Sequence, residues 1–214
     1  MPVRRTAVHT GRVLWWFGHT QICDAYDVNA RVRGVPIFPT LVGICPVTPE
    51  RQVDWQLFFD LENAHRPQPS RRIGPQLVPA LMRLPEALVG QTPRPEFISL
   101  AARDLYRGRS VALPSGEAIA RAVGLALCSA TELKTFNPGW NETPLWLYVL
   151  AEAEIQRNGE YLADVGGRIV VEVIFELLRH DPTSFMSEPG WRPELARSGG
   201  EFGIADFLDY ARVT

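Results

Sequence analysis

The segment Trp15-Trp16-Phe17-Gly18-His19-Thr20 gathers the residue types in this chain best suited to chemistry. A histidine flanked by aromatic rings on an amphipathic helix can ligate a metal through a ring nitrogen. The arrangement suits haem: aromatic neighbours form a flat apolar wall, and one imidazole supplies the axial bond. On the residues alone, a half-buried histidine whose hydrogen bond is satisfied within the fold is the simpler expectation. A zinc or thiol site is a further reading, since His19, Cys23 and Asp27 fall at i, i+4 and i+8 on one helical face. Three ligands so spaced span about 12 Å of helix, too far for one ion without another element. The three cysteines, Cys23, Cys45 and Cys128, show no C-x-x-C spacing, so neither a zinc knuckle nor a disulfide framework is suggested. Free thiols are the simpler expectation, with Cys45-Pro46 a loop cysteine.

Helical elements must position these groups. Val8, Trp15, Ile22 and Tyr26 recur near helical spacing and predict a helix from Thr6 to about Val28, the span 6–29. Many of the 18 prolines fall between Pro36 and Pro95, which marks 30–95 as an irregular connecting region. Within it Asp54 is placed to cap a short helix, Trp55 to Asp60. Helices return over 96–214: Glu96 to Tyr106, Gly116 to Leu127 behind a Ser115 cap, and Thr143-Pro144 opening a helix to Gln156. Tyr161 to Arg179 carries an apolar face and stops at Asp181-Pro182, and Ile204 to Ala211 closes the series. Gly166-Gly167 costs helix propensity that close packing would offset, and Arg168 with Glu172 reads as an i,i+4 surface pair. No segment alternates with period two, so the expected class is mainly α, one irregular helical domain over 1–214 with long Pro-rich loops.

Composition narrows the function. An apolar fraction of 46% and a charged fraction of 21% are ordinary for a globular chain. A net charge of -2 gives no electrostatic reason to expect nucleic acid or an anionic membrane. The longest apolar stretch, Leu145 to Ala151, is far short of a membrane span. Arg4, Arg5 and Arg12 precede the first acidic residue, Asp24, as in a transit peptide, but a cytoplasmic protein is the favoured expectation.

Phe17-Gly18-His19-Thr20, followed by Cys23-Asp24-Ala25-Tyr26-Asp27-Val28-Asn29, resembles the proximal helix of animal-type haem peroxidases, in particular the bacterial branch. Asp54-Trp55-Gln56-Leu57-Phe58-Phe59 is similar to a segment recurring in that superfamily. So are Leu105-Tyr106-Arg107-Gly108-Arg109, Leu113-Pro114-Ser115-Gly116-Glu117, Thr143-Pro144-Leu145-Trp146 and Val165-Gly166-Gly167-Arg168-Ile169-Val170. They occur in the family's order from about Arg12 to Trp191. The resemblance implies the C-terminal, proximal-histidine half of such an enzyme, with haem as cofactor and His19 as the proximal iron ligand. It places Glu117 where the family carries an amide side chain that accepts a hydrogen bond from that histidine's other nitrogen. Arg107 and Arg109 would lie near the haem propionates or tie their helix to the proximal one. Trp16 stands where family members usually carry an arginine, which weakens propionate anchoring.

The distal histidine, the catalytic arginine and the calcium site of that family lie upstream of the proximal helix, and only eighteen residues precede His19 here. Peroxide cleavage needs a distal base and a cation. His9, His65 and His180 have no support from the resemblance in that role. The chain alone is therefore not expected to be an efficient peroxidase. It reads as a subunit of a split peroxidase whose distal half is a separate chain, as a fragment, or as an inactive helical scaffold that keeps the fold. The split reading expects an exposed apolar surface around Trp15, Trp16 and Phe17 that the partner would cover.

Overall fold

The computed structural model describes residues 15–42, 46–61, 66–91, 94–136, 139–196 and 201–211. Helix dominates, and the one sheet among the described residues is a two-stranded antiparallel ribbon. Contacts group the chain into two compact units: Met1–Ile22 with Arg71–His180, and Cys23–Ser70 with Asp181–Thr214.

Among the described residues, the five longest α-helices of the first unit are α1 (Leu100–Ser110), α2 (Gly116–Val123), α3 (Ala130–Lys134), α4 (Leu145–Arg157) and α5 (Asp164–His180). Their starts follow local chemistry. The Ser99 hydroxyl accepts from the Ala102 amide, Ser115 from Ala118, and Ser129 closes a capping box with Glu132. Gly124, in the left-handed region at φ 71°, stops α2 at Val123, short of the expected Leu127. Asn158 and Gly159 turn the chain off the end of α4 in the same way, at φ 52° and 71°.

α4 is the central element. Every residue from Leu145 to Ala153 is buried, because the longest apolar run of the chain has no polar face to offer water. Helices α1, α2, α3 and α5 and the 3-10 turn Trp15–Gln21 surround it. Each fully buried Leu or Val contributes about 1.5–3 kcal/mol relative to exposure. The glycine step at Gly166 has the packing reason expected of it: a Cβ there would lie 3.2 Å from Val149 Cβ. Arg168 and Glu172 form the expected exposed ion pair.

Glu152 is the one acid inside this run, at 0% exposure, and its carboxylate accepts from the Val165 and Gly166 amides at 3.0 and 3.2 Å. It thereby satisfies two of the free N–H groups at the start of α5. Glu152→Ala would strand two buried donors at about 1–3 kcal/mol each. Relief of carboxylate burial offsets part of that, so a net loss of about 2 kcal/mol is expected by urea denaturation.

The expected helix over 6–29 does not form as one element. Residues 1–14 lie outside the described residues, and the rest is a 3-10 helix, Trp15–Gln21, that ends before Cys23. Beyond it the second unit begins, with β1 (Ala25–Tyr26) pairing antiparallel with β2 (Val35–Pro36). The Tyr26 hydroxyl accepts from the Cys23 amide at 2.8 Å, and Gln68 bridges the Asp27 amide and carbonyl at 2.7 and 2.8 Å. These side chains give the backbone partners that a continuing helix would have supplied. Asp54 caps a single 3-10 turn, Trp55–Leu57, in place of the longer helix expected to Asp60. The unit closes with α6 (Ile204–Tyr210). No helix among the described residues is long and apolar enough to cross a membrane.

Candidate functional site

His19 sits in the last turn of Trp15–Gln21, and three contacts hold that turn in place. The Thr20 hydroxyl, fully buried, donates to the Phe17 carbonyl at 2.9 Å. The Trp146 indole N–H donates to the Trp16 carbonyl at 3.4 Å, and the Arg71 amide donates to the Gln21 carbonyl at 3.1 Å. Trp16 and Phe17 are half-buried and pack on the cluster formed by Ile73, Trp146, Leu147, Leu150 and Ala153. Their rings serve the core of this unit, which replaces the exposed apolar surface expected at these two positions; the Trp15 side chain lies outside the described residues.

The imidazole reaches α1. His19 Nδ1 lies 2.9 Å from Oδ2 of Asp104, whose exposure is 4%. An ionised carboxylate accepts the Nδ1 proton, fixes that tautomer, and leaves Nε2 with its lone pair. Nε2 has no hydrogen-bond partner among the described residues, and the side chain is 28% exposed. The imidazole is thus held at Nδ1, with Nε2 free of a hydrogen bond among the described residues.

Burial pushes the Asp104 carboxyl above its usual range, opposed by the hydrogen bond and charge of His19 and the charge of Arg103. A raised carboxyl means the folded chain holds the proton more tightly than the unfolded one. Its stabilising contribution is therefore full below the ordinary aspartate range and is lost as pH rises through the raised value. Asp104→Asn removes this component. Denaturation at a series of pH values is expected to show the wild type gaining on the variant as pH falls from 7 to 5.

Glu117 does not approach the histidine. It lies in the first turn of α2, where its carboxylate accepts from the Thr143 amide at 2.9 Å and the Thr143 hydroxyl at 2.8 Å. It ties the start of α2 to Thr143, two residues before α4, and Asp104 has the position beside His19 that the resemblance gave to Glu117. Arg107 follows Asp104 by three residues on α1 and so shares its face. Arg109 turns elsewhere, onto a cleft of about 530 Å³ between α1 and the start of α4. Both guanidinium groups are exposed and take no partner among the described residues. Asp104, Trp140, Glu142 and Trp146 also line that cleft, and His19 does not.

The alternative metal arrangement has no structural basis. The helical face that would have carried His19, Cys23 and Asp27 ends at Gln21, and no cluster of three or more His, Cys, Asp or Glu suited to a metal occurs among the described residues. His180 ends α5 with Nδ1 2.8 Å from the Glu176 carbonyl. His9, His65 and Cys45 lie outside the described residues. Sequence reasoning missed Asp104, although a signal existed. Ala101 and Leu105 are the core-facing pair of α1, and an acid at 104 falls on the same side of the helix.

The fold defines a mainly helical protein. Comparisons with family models, with curated proteins and with solved structures find no match.

Proposed function

We propose that this chain is a haem peroxidase-like protein that supplies the proximal, iron-ligating side of a haem site. The observation that carries the reading is the His19–Asp104 pair, with one ring nitrogen held by a buried carboxylate and the other unpartnered among the described residues. Those residues fit a haem iron. His19 would hold the metal through Nε2, Asp104 would keep the ring turned and strengthen it as a donor, and Arg107 would meet a propionate. Trp16 and Phe17 fix the turn through the core. When bound, haem would supply the redox chemistry, which no side chain here carries by itself.

Efficient peroxide cleavage also requires a base and a cation on the opposite face. The reading assigns these to a separate chain, making this one the proximal subunit of a split peroxidase. A second reading, an inactive helical interaction protein, draws on α5, where Val171, Phe175 and Leu177 are exposed at 64%, 49% and 67%.

The iron–nitrogen stretching band of the ferrous, haem-loaded chain tests the assignment. It is expected in the wild type, shifted to lower frequency in Asp104→Leu, and absent in His19→Ala. A band indifferent to both substitutions would contradict it.

A further inference from the structure

The cleft between α1 and the start of α4 has a chemistry of its own. Its apolar lining is Leu105, Leu113 and Leu145 with the indoles of Trp140 and the buried Trp146. At about 530 Å³ it falls in the range of small-molecule sites. Three charged residues line it, and they are not equivalent. The Glu142 carboxylate is engaged by the Arg121 guanidinium and by the Ser115 hydroxyl. Asp104 is engaged by His19. Arg109 is the cation of the lining and has no partner among the described residues.

We propose that this cleft binds an amphipathic monocarboxylic acid, its apolar or aromatic body against Leu105, Leu113, Leu145 and the indoles, its carboxylate on Arg109. A guanidinium presents paired N–H donors that match a carboxylate bidentately. A cationic ligand would find both acids already bound to other groups, and a neutral one would leave Arg109 unused. The unengaged guanidinium of Arg109 therefore favours an anion. His19 does not line the cleft, so the site offers no axial ligand, and Asp104 is the residue it shares with the proposed haem site. The inference does not depend on that proposal.

The test uses the full chain with no haem added, titrated with 2-naphthoate and, separately, with its methyl ester, by calorimetry and tryptophan fluorescence. Saturable one-to-one binding of the acid is expected, with the ester at least about tenfold weaker. Arg109→Gln is expected to lower affinity for the acid about tenfold and leave the ester unchanged. Ala102→Leu, which fills the cleft from α1, is expected to abolish both, with circular dichroism confirming that each variant keeps its helices. Absence of saturation into the millimolar range, equal binding of acid and ester, or indifference to Arg109→Gln would each overturn the proposal.

Discussion

Gly116→Ala is expected to destabilise the first unit by about 3 kcal/mol or more, a large part of the stability of a marginally stable fold. A Cβ at this position would fall 1.9, 2.2 and 2.4 Å from Cγ, Cβ and Cδ1 of Tyr148. Those atoms are the root of a fully buried side chain, not a flexible tip that can swing away. The Tyr148 hydroxyl is also pinned, accepting from the Cys128 amide at 3.2 Å. Relief therefore requires α2 and α4 to separate, which also strains the Glu117–Thr143 contacts. Gly18→Ala is the contrast. Its Cβ meets nothing within 4 Å, so the substitution is expected to be neutral, or stabilising by up to about 1 kcal/mol. Urea denaturation of the two variants side by side separates a packing requirement from a general intolerance of alanine for glycine.

Asp104→Leu is expected to weaken haem binding about 10- to 100-fold, the usual cost of losing the group that orients a metal-ligating histidine. The carboxylate holds Nδ1 at 2.9 Å from a position almost closed to solvent, and leucine can neither fix the tautomer nor turn the ring. Folding is expected to survive the change, because the site faces the apolar cluster around Trp146 and leucine removes a buried charge whose partner is only half-buried. Absorption titrations of both proteins, with far-ultraviolet dichroism as the folding control, give the ratio.

Much of the helical part of the fold was legible, because its signals are local. The helix expected from Thr143-Pro144 to Gln156 is α4, Leu145–Arg157, and Tyr161 to Arg179 is α5, Asp164–His180. Ser115 caps α2 as expected, since a cap needs only the next three residues. The failures share a cause in long-range pairing. The helix expected over 6–29 is interrupted because residues after Gln21 find partners 9 to 41 positions away, in β2 and in Gln68. His19 was legible as a residue of interest, but its partner lies 85 residues away, on a helix whose caps say nothing of that contact. Glu117 was legible as a first-turn acid, and its actual role follows from Thr143, 26 residues on. The cleft was not legible at all, since it joins α1 to residues 140–146 only through packing.

The most direct measurement is a haem titration of the purified chain followed by absorption, with His19→Ala beside it. The expected result is a Soret band that saturates at one haem per chain in the wild type and is lost or shifted in the variant. Absence of saturable binding, or a band that the substitution leaves unchanged, would contradict iron ligation by His19.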